Sequence, residues 1–154
     1  MRAPVPACLA RVAVSAVVAA ATACTGIETR TGVYATLAEA RAAGAVQSGW
    51  IPEGLPASAT DLREAHRGRD QRWGLFSFPP ADADAVRALL AAEITGQPPE
   101  CTPPGRLEWW PRVLRSPMDP GQLKATALRV YHGRDGRLTY AVNWNQGRGY
   151  FWSG

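Results

Sequence analysis

In this 154-residue chain the side chains best suited to nucleophilic chemistry are Cys101, His66 and His132, because a thiolate needs an imidazole within reach to take its proton. Their surroundings in the sequence argue against that use. Cys101 stands between Pro98-Pro99-Glu100 and Thr102-Pro103-Pro104, which is neither a strand-to-helix elbow nor a helix start that would lower its pKa. Each histidine falls at the end of a predicted strand beside a turn, and there is no His-x-x-x-His, no Cys-x-x-Cys and no carboxylate cluster at metal-ligand spacing. Gly-x-Ser-x-Gly, Gly-x-Gly-x-x-Gly and phosphate-loop patterns are missing too. The expectation is a protein with no catalytic residue, no metal and no cofactor. Two carboxylates facing each other across a sheet are the route left open to an envelope hydrolase.

A second chemistry is stacking. Trp109 and Trp110, inside Leu107-Glu108-Trp109-Trp110-Pro111, offer two adjacent rings that could lie on a sugar or a peptide; the competing role is to cover an edge of the core. Trp50 has the same two readings, ligand wall or packing anchor, and the anchor is favoured.

A third chemistry is acylation of Cys24. Positive charge at Arg2 and Arg11, an apolar core from Val12 to Ala23 and small residues at its end make the first 23 residues an export signal. Ala21-Thr22-Ala23-Cys24 then reads as a lipobox, in which the cysteine thiol is acylated and becomes the new N-terminus, although Ala21 replaces the usual large aliphatic residue. The same residues also satisfy the small-x-small rule of ordinary secretion, with Cys24 merely the first exported residue. The two routes differ in what they imply for Cys101: a free thiol if Cys24 is acylated, a possible Cys24–Cys101 bridge in an oxidising compartment if it is not. The signal core is too short for a spanning helix, which needs roughly 20 apolar residues, so no transmembrane segment is expected.

Removing 23 residues leaves 131, one domain's worth, and takes away two arginines, so the formal charge falls from +4 to +2. Such a balance gives no reason to expect nucleic acid. Sixteen arginines against one lysine, with abundant alanine, fit a GC-rich genome better than a phosphate-binding surface.

The elements that must position these residues follow from period and punctuation. Residues 24–33 read as a tether, and order is expected from Tyr34 in a single domain, 34–154. Thr36-Leu37-Ala38-Glu39 is a capping box in which Glu39 would reach back to the Thr36 amide; it opens a helix that Gly44 can stop. Pro52 and Pro56 make the next connection stiff, with Ile51 and Leu55 as anchors. Thr60–Arg67 and Arg72–Phe78 flank the turn Gly68-Arg69-Asp70-Gln71 as a hairpin, with Leu62, Glu64 and His66 on one face. Asp82 and Asp84 start a second helix whose apolar stripe is Val86, Leu89, Leu90 and Ile94, ending near Thr95-Gly96. Residues 95–122 hold seven of the thirteen prolines and are expected to be irregular. Strands at 125–132, 137–144 and 148–152 close the chain, and Leu138, Tyr140, Val142 and Trp144 alternate with Thr139, Ala141 and Asn143 as in a sheet with one buried face. The fold class is therefore α+β, an antiparallel sheet of about five strands packed with two helices.

The run from Thr36 through "TLAEARAAGAVQSGWIPEGLPASATDLREAH" to "RWGLFSF" resembles a group of small exported bacterial proteins, often lipoproteins, that carry a YbbD-type head domain. "EWWP", "YAVNW" and "GYFW" are similar more loosely. The group's hairpin often has Asp-Thr after the histidine stretch, where this chain has Gly68-Arg69-Asp70-Gln71, which speaks against a turn-specific ligand. The resemblance implies no activity and no catalytic residue. It implies an exported module held to a membrane by a lipid on Cys24, and it favours strand over helix for 60–67. The function expected from the chain as a whole is that of a non-enzymatic envelope protein, with another envelope protein or a glycan as further partner. In a diderm host Thr25 after the lipid cysteine would favour the outer membrane; a periplasmic or secreted protein is the alternative.

Overall fold

The computed structural model describes residues 28–105 and 107–153. The expected signal segment 1–23 and the expected lipid site Cys24 lie outside the described residues. Seven strands form one antiparallel sheet: β1 (Thr29–Thr36), β2 (Thr60–Arg67), β3 (Gln71–Ser77), β4 (Leu90–Glu93), β5 (Arg129–Gly133), β6 (Thr139–Asn143) and β7 (Arg148–Ser153), in the spatial order β1-β2-β3-β7-β6-β5-β4. The first three strands make one meander and the last four another. The β3–β7 ladder, from Arg72↔Ser153 to Ser77↔Arg148, joins them into a continuous surface.

The expected five strands are all present, and the two additional ones are the two edges. Residues 29–33, expected as tether, belong to β1, where Arg30 pairs with His66 and Gly32 with Glu64. An edge strand has one neighbour and little to bury, so its polar sequence is compatible with a ladder. The expected second helix is short: α2 covers only Ala83–Arg87, and the chain then turns into β4. Arg134 N–H donates to the Leu89 carbonyl (2.9 Å) and Ile94 N–H to the Val130 carbonyl (2.8 Å), so the segment covers an edge of β5 that a continuing helix would have left open. The stripe is divided accordingly: Val86 and Leu90 enter one core cluster, while Ile94 packs against the other, across the sheet.

The first helix forms where its capping box predicts. α1 runs Leu37–Ala42, and Glu39 N–H donates to Thr36 Oγ1 at 3.2 Å. The reciprocal bond comes from the amide of Ala35, at 2.9 Å from Glu39 Oε2, rather than from Thr36. Gly44, at φ +78°, ends the helix in a left-handed conformation that a β-carbon would disfavour.

Both faces of the sheet are covered. On one side α1, the 43–59 connection and α2 bury Leu37, Ile51, Leu55 and Val86 against Leu62, Phe76, Tyr140 and Phe151. On the other the proline-rich passage brings Cys101, Leu107, Trp110, Leu114 and Met118 onto Ala65, Trp73, Ala141 and Trp152. β6 is therefore buried at every position, Thr139, Ala141 and Asn143 included, and not on one face alone. The passage is irregular only in part. It contains a 3-10 turn at Arg112–Leu114 and, across the expected boundary at 122, a third helix α3 (Pro120–Ala125). That helix has its signals in plain view: Asp119 Oδ1 accepts from Gly121 N–H (2.7 Å) and Gln122 N–H (3.1 Å), with proline at the first helical position.

Candidate functional site

A polar arrangement built around the buried Glu64 lies where β1, β2 and β3 meet. Period-two alternation puts Glu64 and His66 on the same face of β2. Glu64 is only 3% exposed, and it sits between Gly32 on β1 and Gly74 on β3 in the cross-strand register. The glycines make that position possible. A β-carbon on Gly32 would stand 2.7 Å from Glu64 Oε1 and 2.8 Å from Tyr34 Cζ; one on Gly74 would enter the ring of Phe151 and come within 2.8 Å of the Arg63 carbonyl.

His66 Nδ1 is 2.8 Å from Glu64 Oε2. A carboxylate can only accept, so Nδ1 donates, which fixes the ring's orientation. Trp50, carried in by the stiff connection whose Ile51 and Leu55 are buried, lies on the imidazole with centroids 3.7 Å apart and planes 4° from parallel. The Tyr34 phenol has its pKa raised, first by burial and then by the nearby Glu64 carboxylate. Glu64, His66 and Trp50 thus form a closed triplet: a carboxylate aligns an imidazole, and an indole covers it. This is half of a nucleophile-activating relay, but the thiol that could complete it is elsewhere.

Cys101 lies on the opposite face of the sheet from Glu64 and His66, beside Ala65 and Trp73. It is 1% exposed, and burial pushes its thiol up to about 12, against which the Trp73 indole and the Arg115 guanidinium act only in part. Its backbone is tied to Ser116: the Cys101 N–H donates to Ser116 Oγ (2.7 Å) and its carbonyl accepts from Ser116 N–H (3.0 Å). A protonated, enclosed thiol is a packing group. His132 pairs with Thr139 in the β5–β6 ladder, and its exposed imidazole has no hydrogen bond among the described residues.

The tryptophan pair does not form a stacking platform. Trp110 is 2% exposed and donates its indole N–H to the Leu114 carbonyl at 3.3 Å, with Trp152 and Tyr150 edge-on to it. Trp109 is half-buried and stands at 72° to Trp110, so the two rings do not share a plane on which a ligand could lie. Trp50 anchors the connection, as its sequence context predicts, and the partner it stacks on is His66. The signal was available in the shared face of Glu64 and His66 and in an aromatic residue placed next to a rigid Ile51-Pro52.

The segment holding β1, α1, the connection, β2 and β3 is also the segment that a family model covers. Residues 28–77 match the family model of the YbbD head domain. That span includes Gly32, Tyr34, Trp50, Glu64, His66 and Gly74, the whole of the arrangement just described. No curated protein and no solved structure matches the chain.

Proposed function

We propose that the chain is a non-enzymatic interaction module of the bacterial cell envelope, exported by its first 23 residues and held to a membrane by a lipid on Cys24. The observation that carries this reading is the start of β1 at Thr29, which leaves Thr25 to Glu28 as the whole connection between the cysteine and the sheet. Five residue steps reach at most roughly 18 Å, so an acylated Cys24 would hold the folded domain directly against the bilayer surface. Among the described residues no helix is long and apolar enough to cross a membrane, and attachment in this reading is by the lipid alone. The family match supports a head-domain role for 28–77.

The enclosed Cys101 and the covered His66 support the non-enzymatic part of the reading over an envelope hydrolase. A soluble periplasmic or secreted domain that binds glycan or peptide through Trp109 and Trp110 is the weaker alternative, because Trp110 is committed to the core. Thr25 following the cysteine favours the outer membrane in a diderm host. Mass spectrometry of the mature protein from membrane fractions tests the reading: the N-terminal peptide should begin at Cys24 and carry acyl mass, and an unmodified Cys24 in a soluble fraction would refute it.

A further inference from the structure

One end of the sheet carries a group of arginines that the fold leaves without carboxylate partners. β1 begins at this end, β2 finishes there at Arg67, β3 starts at Gln71 and β7 finishes at Ser153, next to the start of β6 and the end of β5. Between the sheet, the 46–53 connection and the turn at 134–137 opens a cleft of about 610 Å³, within the size range of small-ligand sites. Three arginines are among its lining residues: Arg72 from β3, and Arg134 and Arg137 from the turn between β5 and β6. Tyr140 and Leu138 of β6 also line it.

Among the described residues none of these three arginines pairs with a carboxylate. At the opposite end of the sheet the pattern is reversed, for Arg63 and Arg148 both meet Asp61, at 3.2 and 3.0 Å, and Arg129 meets Glu93 at 3.6 Å. Arg72 is held in place by a bond from Nη1 to the Gly49 carbonyl, while its Nε is buried with no partner. Arg134 is steadied by its Nε–H, which donates to the Leu90 carbonyl at 3.2 Å. The cleft also contains two acids. Asp135 is committed to its own turn, where Oδ1 accepts from the amides of Arg137 (3.0 Å) and Leu138 (3.1 Å), and Glu53 is exposed at the rim. Tyr140 has its pKa raised by burial and by Asp135, with Arg72 opposing, so its phenol stays a hydrogen-bond donor at neutral pH.

We propose that this cleft binds a phosphate-type oxyanion, a phosphomonoester or phosphodiester, with Arg72 as the inner donor and Arg134 and Arg137 reaching it from the turn. Guanidinium forks on two separate elements offer more donors, from more directions, than a planar carboxylate can use, whereas a tetrahedral phosphate can accept from all of them. The phosphate can belong to a soluble ester or to a lipid headgroup. The site stands on its own geometry and does not require the lipid on Cys24, although the chain toward Cys24 leaves from the same end of the sheet.

The test uses the chain from residue 24 onward carrying Cys24→Ser, titrated calorimetrically with inorganic phosphate and with glycerol 3-phosphate at fixed ionic strength. Saturable one-site binding is expected, weakened roughly tenfold for each guanidinium removed in Arg134→Gln and Arg137→Gln. Both positions are exposed turn residues, so circular dichroism should show the fold unchanged. Co-sedimentation with phosphatidylglycerol vesicles, but not with phosphatidylcholine vesicles, and competition by glycerol 3-phosphate would assign the headgroup. Binding of the soluble ester without sedimentation would assign a free ligand. No saturable phosphate binding, or equal affinity in the Arg134→Gln/Arg137→Gln double variant, overturns the proposal.

Discussion

Trp50 lies flat on His66, with ring centroids 3.7 Å apart, while His66 Nδ1 is 2.8 Å from Glu64 Oε2. The stack joins the 43–59 connection to the sheet at the point where a buried carboxylate would otherwise be poorly shielded. A carboxylate inside a protein is tolerated only when it is hydrogen-bonded and its partner is itself held, and Trp50 supplies that hold.

Trp50 and His66 should therefore be energetically coupled. A double-mutant cycle with Trp50→Ala and His66→Ala, followed by urea unfolding, is expected to give a coupling of about 0.5–1.5 kcal/mol. Additive losses would show that the two rings are merely adjacent.

Trp109 and Trp110 are neighbours in sequence but differ in burial, and truncation should separate them. Trp110→Ala removes a ring packed among Trp152, Tyr150 and Leu114 and should cost about 3–5 kcal/mol. Trp109→Ala, at the half-buried margin, should cost less than half as much. Equal losses by chemical denaturation would mean that both rings serve the core alike.

The strands that the sequence made legible are those with two neighbours or a full hydrophobic period: the β2–β3 hairpin and the β5-β6-β7 meander. The edges β1 and β4 were not, because an edge strand buries little and its residues resemble a polar tether or the end of a helix. Val86, Leu89, Leu90 and Ile94 have genuine helical spacing, yet the open side of β5 supplies a ladder that local periodicity does not register. Alternation along β6 predicts one buried face because Thr139, Ala141 and Asn143 are small or polar. What covers them is a proline-rich passage whose packing depends on contacts distant in sequence. At the site, single residues were visible and their convergence was not. Glu64 and His66 could be placed on one face by counting, whereas Trp50 over His66, and Arg72 beside the 134–137 turn, depend on how a loop and a distant hairpin fold onto the sheet.

Cys101 gives a prediction with a definite sign. Its thiol ordinarily ionises near 9.0 and is pushed up to about 12 by burial. The unfolded chain therefore releases this proton from about pH 9 while the folded chain retains it, so the contribution is intact below pH 9 and is lost as pH rises toward 12. Denaturant midpoints should fall over that interval, and Cys101→Ala should flatten part of the decline, the remainder belonging to groups such as Tyr140, whose pKa is also raised. A thiol reagent at pH 8 should modify Cys101 only after denaturation; rapid reaction in the native protein would contradict its enclosure.

Acylation of Cys24 is tested most directly by metabolic labelling with a radiolabelled fatty acid. Cells producing the unaltered protein and cells producing Cys24→Ser are compared after immunoprecipitation. Label in the unaltered protein and none in the variant is the predicted result. Equal incorporation in both, or none in either, would contradict the lipid-anchored reading.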